Sequence, residues 1–441
     1  MNNKNEGLKI SNINKINTTV ERGKLLSVLE QVFLSLDPEQ LMHQYVSDIL
    51  SKGNEYRNIY VIGFGKASLK MYRGIRKKTS DVAAYSGIII PVGEEVAENF
   101  PELEILRGNH PIPSEDTLNS SRKLMSSFGD LQEDDMVLVL ISGGGSALFE
   151  IPENGFTIER IGETARCLMN SGADIQELNT VRQAMSSVKG GKLAQKLYPA
   201  EVHGFIISDV PGDDPSVIAS GPLTKPSRDA SFLEEVYDKY QHSCKLPEKE
   251  VLLKLALGMG RQKFSHVTTK IVLKNRDYVN LMASLLEDMG EYVLTLPDPV
   301  TGDVEDVSEW FANKMRKKYA LAKRPIWIIG GGETTAKVQG NGLGGRNSEL
   351  SLRVAMKMQS SENFLFASLG TDGIDGVSPA MGGIGDTKLL GNASMQEIQE
   401  SLSNSDSYSL LNKCNSSIIT GYTGTNVSDI FVMHYGGKEE E

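Results

Sequence analysis

The sequence predicts two α/β domains built on parallel sheet, a larger one first and a smaller one after it. Three observations carry that expectation. Short β-branched runs recur along the chain, each followed by a glycine-bearing polar loop and then an amphipathic stretch, which is the pattern of parallel α/β units. Several runs lack polar alternation, as suits strands covered on both faces. The chain is also 441 residues long, more than one ordinary core accommodates.

In chain order, strands are expected at Ile59–Ile62, Gly87–Ile90, Met136–Ile141, Phe205–Ile207, Lys270–Leu273, Tyr292–Leu294, Ile326–Ile329 and Phe364–Ala367. Helical spacing of apolar residues marks 157–171, 174–198, 276–290, 304–321 and 346–359, as in Val279, Met282, Leu285, Leu286 and Met289. Pro325 biases Arg324 away from helix. The domain boundary is set there, giving 1–323 and 324–441. The weakly apolar stretch 225–265 reads as a variable excursion or linker inside the first domain.

Composition is that of a globular chain, 39% apolar and 23% charged. A net charge of −11 argues against a general nucleic-acid or anionic-membrane surface, so any anionic ligand must be caught by a local basic cluster. Cys167, Cys244 and Cys414 are odd in number and widely spaced, which indicates neither a disulfide framework nor a zinc site and fits a reducing cytoplasm. The N-terminus is polar, with no run expected to act as a signal peptide or to span a bilayer.

Ligands of open parallel sheets bind beyond the carboxyl ends of the strands, which directs attention to the loops there. After Ile59–Ile62 comes Gly63-Phe64-Gly65-Lys66-Ala67-Ser68, where a lysine at the start of a helix favours an anion beside Gly65. After Met136–Ile141 comes Ser142-Gly143-Gly144-Gly145-Ser146; one or two glycines suffice for a turn, and three suit close approach of backbone N–H groups to phosphate or carboxylate oxygens. Neither loop is a standard P-loop or a full dinucleotide fingerprint.

The third loop, Ser208-Asp209-Val210-Pro211-Gly212-Asp213-Asp214-Pro215, offers carboxylates for Mg²⁺ or for a substrate proton, with Asp209 the strongest and Asp214 better read as an Asx-type turn. In the glycine-rich segment 330–353, Glu333 follows a strand, and Arg346, next to Asn347, opens a helix with a fork suited to carboxylate or phosphate. Asp372 and Asp375 in Gly370–Gly376 are either a further metal or nucleotide contact or a structural turn. Asn109 and His110 are candidates to meet substrate, although a hydrogen-bonded loop is the better single-residue explanation of the histidine. Lys189 and Lys192 flank two glycines at a helix end; a glycine cap accounts for them, yet with Lys66 and Arg346 they are the candidates for the basic cluster.

The blocks GFGKAS at 63–68, GNHPIPSEDT at 108–117, ISGGGSALFEIP at 141–152, SSVKGGKLA at 186–194, ISDVPGDDPSVIASGP at 207–222, GGGETT at 330–335, GGRNSELSL at 344–352 and GTDGIDG at 370–376 together resemble the type II glycerate kinases, the MOFRL-type family. The resemblance runs over nearly the whole chain. It implies a Rossmann-like parallel-sheet N-terminal domain, a smaller MOFRL-type α/β C-terminal domain, and an active site in the cleft between them. It further implies ATP- and Mg²⁺-dependent phosphorylation of D-glycerate, with 2-phosphoglycerate favoured over 3-phosphoglycerate.

Lys66 and Arg346 match the family's essential lysine and arginine. On this reading they neutralise charge on the transferring phosphoryl group. Asp209 ligates the metal or orients the attacking hydroxyl, Asp213 adds to the metal's surroundings, and Ser142–Ser146 bind phosphate and substrate. The partners expected are glycerate and ATP, without nucleic acid or membrane, and a homodimer is left open. Two alternatives compete: an NAD(P)H-dependent hydroxypyruvate reductase, for which no full fingerprint is present, and a non-catalytic sugar-acid sensor.

Overall fold

A computed structural model describes residues 10–50, 56–259, 264–358 and 362–438. The chain forms two compact units, one of Pro38–Leu273 and one joining the residues up to Asp37 with those from Lys274 onward. Among the described residues no helix is long and apolar enough to cross a membrane.

The unit Pro38–Leu273 is built on β1 (Asn58–Phe64), β2 (Ala83–Pro91), β3 (Glu104–Gly108), β4 (Asp135–Ile141), β5 (Glu201–Ile207) and β6 (Val267–Leu273). They pair in the order β3-β2-β1-β4-β5-β6, every neighbour parallel. This is the doubly wound Rossmann order, whose direction reverses between β1 and β4. Every residue of β4 is buried, which explains why its run carries no polar alternation. On one face Ile62, Phe64, Val139 and Ile141 pack with Leu148, Phe149, Val188 and Leu193.

Three expectations for this unit are corrected. The stretch 225–265, apart from 260–263 which lie outside the described residues, contains the helices Ala230–Tyr240 and Lys249–Met259. Their Leu233, Val236, Tyr240 and Leu252 share a core with Leu178, Val181 and Met185 of the helix Ile175–Met185. The cysteines do pair: Cys167 and Cys244 form a disulfide across 77 positions, joined by helix packing that spacing cannot reveal. The expected helix 174–198 is also two, Ile175–Met185 and Lys192–Lys196, because Gly190 (φ 58°) and Gly191 (φ 80°) turn the chain left-handed between them.

The other unit carries β7 (Val293–Thr295), β8 (Val300–Asp303), β9 (Ile326–Thr335), β10 (Glu362–Gly370), β11 (Gly382–Asp386), β12 (Ser417–Ile418) and β13 (Asp429–Lys438). Their order is β12-β11-β10-β13-β9-β7, with β8 also on β9. Only β7 and β8 run parallel to β9; the remaining pairs are antiparallel. The boundary expected at 323/324 therefore falls inside this unit. Residues before it belong here because β7 and β8 pair with β9, and because Phe311 and Met315 of the helix Val304–Ala322 share a core with Ile328, Phe366 and Phe431.

The N-terminal segment, read as a polar tail, is anchored in the same unit by Arg22, which has no solvent exposure. Its guanidinium donates from Nε and Nη2 to both oxygens of Asp386 (2.7 and 2.8 Å), from Nη2 to Ser416 Oγ (2.9 Å), and from Nη1 to the carbonyls of Asn415 (2.7 Å) and Ile16 (3.3 Å). All five N–H groups are thus satisfied. Replacing Arg22 with Met leaves Asp386 buried and uncompensated, and is expected to lower unfolding free energy by about 3–5 kcal/mol. Denaturant titration checks this; a loss under about 1 kcal/mol contradicts a structural role for the pair.

Candidate functional site

In the parallel-sheet unit the loops after β1 and β4 meet at the point where strand order reverses. The Lys66 backbone N–H donates to the Gly143 carbonyl (2.9 Å), Ala67 N–H to Ser142 Oγ (2.9 Å), and Ser142 N–H to the Phe64 carbonyl (3.2 Å). Gly65 has φ +124°, and a Cβ there would collide with Ser142 Oγ and stand 2.5 Å from the Ser142 carbonyl oxygen. Gly144 (φ +81°) lies against the His110 ring, and a Cβ on Gly145 would stand 2.9 Å from that of Ala219. The glycines expected to admit a ligand thus first admit each other's loops. Ser142, taken as a ligand group, is buried and its hydroxyl is engaged by Ala67.

A residue missed in the sequence completes this loop pair. Ser220 is buried, lies 3.0 Å from Ser146 by hydroxyl contact, and donates to Asn179 Oδ1 (2.8 Å). The Asn179 amide nitrogen donates to the Val217 carbonyl (3.3 Å), which fixes the amide's orientation. Ser220 gives its one proton to Asn179, so Ser146 gives its own to Ser220. Ala219 (φ 50°), Ser220 (φ 61°) and Gly221 (φ 64°) are successive left-handed residues, a conformation rare outside glycine. Gln183 Nε2, donating to the Ser216 and Ser220 carbonyls (both 3.2 Å), helps to hold it.

Two expected ligand groups are reassigned. Lys189, 1% exposed, donates from Nζ to the Phe149 carbonyl (2.8 Å) and lies 3.4 Å from a Glu150 oxygen. Lys192 donates to the Gln183 carbonyl (3.0 Å) and the Ser186 carbonyl, and pairs with Glu153 (2.9 Å). Burial lowers the pKa of both ammonium groups. These lysines tie the segment 183–192 to the residues that follow the β4 loop, a buried role that removes them from the anion-binding set. Asn109 likewise serves its own loop: its Oδ1 accepts from Ser114 Oγ (2.5 Å) and its N–H donates to Thr117 Oγ1 (2.9 Å). His110 is exposed.

After β5, Asp209 and Asp213 are partly exposed, while Asp214 accepts the Ser216 N–H (2.8 Å), the Asx-type role expected of it. Among the described residues no group of three or more His, Cys, Asp or Glu is gathered to hold a metal. The hard oxygens of Asp209 and Asp213 suit Mg²⁺ of the kind completed by nucleotide phosphates and water.

In the other unit Arg346 opens the helix Arg346–Lys357. It donates from Nε and Nη2 to the two oxygens of Asp429 (2.6 and 3.0 Å) and pairs through Nη1 with Glu333 (2.8 Å). Three of its five N–H groups are so engaged, which leaves one on each terminal nitrogen. Burial pulls the guanidinium's pKa down, but Asp429 and Glu333 more than reverse this, and the group stays cationic. Asn347 Nδ2 also donates to Asp429 (3.0 Å), and Asn347 Oδ1 accepts from Ser368 Oγ (2.5 Å).

Asp375 takes the N–H groups of Asn347 (3.0 Å) and Ser348 (2.7 Å), so the helix start is already capped by a protein carboxylate. Gly345 is required beside it, since a Cβ would strike that carboxylate. Asp372, partly exposed, accepts the Ile374 N–H (3.3 Å) in the same loop. Asp429, fully buried, was missed because its run is antiparallel and its partners Arg346 and Asn347 lie 83 and 82 positions earlier at a helix start; the short polar segment before Ile430–Met433 was its only signal.

The MOFRL family model matches residues 326–429, beginning on β9, and a model described as a domain of unknown function, DUF4147, matches 24–253. A glycerate 2-kinase of Picrophilus torridus is 42% identical over 429 residues, covering 97% of this chain and 100% of that protein. A D-glycerate 2-kinase of Thermotoga maritima is 34% identical, covering 88% of this chain and 93% of the relative. The crystal structure of a glycerate kinase from Thermotoga maritima superposes with a TM-score of 0.80 at 31% identity, covering 94% of this chain and 100% of that one.

Burial pushes the Asp375 carboxyl up to about 6 from its ordinary 3.8, with the Asp429 charge adding and the two N–H bonds opposing. Between those values the folded chain binds more protons than the unfolded one, so this group's contribution to stability is full below about pH 4 and falls as pH rises towards 6. Thermal unfolding of wild type and Asp375→Asn should show wild type losing ground to the variant across that window. A gap that stays constant or moves in wild type's favour as pH rises would contradict it.

Proposed function

The chain belongs to the MOFRL-type glycerate kinase family and is an ATP-dependent kinase, and on that premise we propose that it transfers the γ-phosphoryl group of ATP to D-glycerate, giving 2-phosphoglycerate. The observation that carries this is the meeting of the Lys66 loop and the Ser142–Ser146 loop at the switch point of a doubly wound parallel sheet, where such folds bind their ligands. Phosphoryl transfer demands positioning and charge neutralisation more than covalent participation by the protein. In this reading Lys66 neutralises phosphoryl oxygens as a point charge. Arg346 does so with the two N–H groups that Asp429 and Glu333 leave to it.

Asp209 and Asp213 would hold Mg²⁺, whose charge would offset that of the nucleotide phosphates. Ser146, whose proton is committed to Ser220, is left an acceptor and is suited to a substrate hydroxyl rather than to a phosphate oxygen. Asp429 and Asn347 are positioning residues for Arg346. A hydroxypyruvate reductase is disfavoured because the loop after β1 lacks a full dinucleotide fingerprint.

The direct test is ADP release by the purified chain with ATP and Mg²⁺, which should depend on D-glycerate. Oxidation of NAD(P)H on addition of hydroxypyruvate, in place of that release, would overturn the reading. Arg346→Lys keeps the charge and loses the fork, so turnover should fall on the order of 10²-fold, with some loss of melting temperature because Asp429 forfeits its bidentate partner. Lys66→Arg adds bulk beside Gly65 and should raise Michaelis constants as well as lower turnover, with melting temperature unchanged. Near-normal kinetics in both variants would remove the two residues from the reaction.

A further inference from the structure

A second arginine, in the parallel-sheet unit, stands unused by the mechanism above. Arg182 lies near the end of the helix Ile175–Met185, with part of its surface open to solvent. Its guanidinium forms no hydrogen bond or close ion pair with any described residue, although the Glu150 charge acts on it. Asn179, three positions before it, is its neighbour on the helix surface, and Asn179 with Gln183 binds the Ser216–Ser220 turn that touches Ser146.

Its charge is also under-compensated, since the carboxylate that acts on it, Glu150, is shared with Lys189. Glu150 lies 3.4 Å from Lys189, and Glu153, three positions on, pairs with Lys192 at 2.9 Å. Three cations therefore share two anions in a largely buried setting. The excess falls on Arg182, the one of the three that reaches solvent appreciably. An uncompensated charge withdrawn from water is expensive unless a counter-charge arrives, and a planar guanidinium is shaped for a carboxylate.

We propose that Arg182 binds the carboxylate of the hydroxy-acid substrate, beside the hydroxyl-accepting Ser146. The assignment rests on the glycerate reading and adds to it the group that selects an acid over a neutral polyol. It gives the loop pair a division of labour: Ser146 meets a hydroxyl, Arg182 the carboxylate, and Lys66 the phosphoryl oxygens.

Steady-state kinetics with glycerate and ATP varied separately test it, using Arg182→Lys and Arg182→Gln. Loss of a hydrogen-bonded charge pair should raise the glycerate KM roughly 10- to 100-fold, more in Arg182→Gln than in Arg182→Lys, with the ATP KM and melting temperature little changed. In thermal-shift measurements D-glycerate should stabilise wild type and not Arg182→Gln, while ATP with Mg²⁺ stabilises both.

An unchanged glycerate KM in Arg182→Gln overturns the proposal. So does a rise in the ATP KM in place of the glycerate KM, which would give the guanidinium to phosphate. Should wild type show no glycerate-dependent ADP release, the functional reading fails, and a thermal-shift panel of lactate, glycolate and tartronate decides the carboxylate site by itself. Stabilisation of wild type but not of Arg182→Gln by any of these supports the site; no stabilisation of wild type overturns it.

Discussion

Gly65 packs against Ser142 only because it carries no Cβ, and this close approach lets two strand-end loops share one place. Its φ of +124° is closed to most side chains, and the Ser142 carbonyl would lie 2.5 Å from any Cβ. With the loops in contact, the Lys66 and Ala67 N–H groups bond across to Gly143 and Ser142, and Lys66 is presented beside the triple glycine. A chain of further constraints follows. Gly145 fits under Ala219, the left-handed turn at Ala219-Ser220-Gly221 brings Ser220 to Ser146, and Asn179 and Gln183 hold that turn. Backbone strain of this kind persists only where its surroundings over-determine it, and here it sits at the proposed substrate end.

The second unit solves a different problem, the holding of one guanidinium in a fixed plane. A lone surface arginine samples many rotamers; Arg346 is gripped by both oxygens of a fully buried Asp429 and by Glu333. Asp375 meanwhile satisfies the helix start through Asn347 and Ser348, so the charge at that end is set by the protein. Preorganised donors of this kind need no reorganisation when charge develops in a transition state.

Much of the parallel sheet was legible because its signal is local. The runs around Val61, Val139 and Ile206 are apolar on both faces and end in glycine-bearing loops, which is a physical consequence of being covered by helices on either side. What stayed hidden depends on distant partners. Arg22 reads as one charge in a polar tail until Asp386, 364 positions away, supplies its fork. Asp429 looks like a turn residue until β13 inserts between β9 and β10. Lys189 and Lys192 carry the residue type of an anion hook, and only burial against Glu150 and Glu153 reveals them as ties. Arg182 shows the converse: it belongs to no motif, and its distinction is a guanidinium without a hydrogen-bond partner among the described residues, sharing Glu150 with Lys189.

The most direct measurement is ³¹P NMR of wild-type protein incubated with ATP, Mg²⁺ and D-glycerate. Stoichiometric appearance of 2-phosphoglycerate with ADP is the result expected of a kinase that accepts the substrate's hydroxyl at Ser146 and neutralises the transferred group with Lys66 and Arg346. Formation of 3-phosphoglycerate would contradict the hydroxyl assigned, and absence of any glycerate-dependent phosphoryl transfer would contradict the account as a whole.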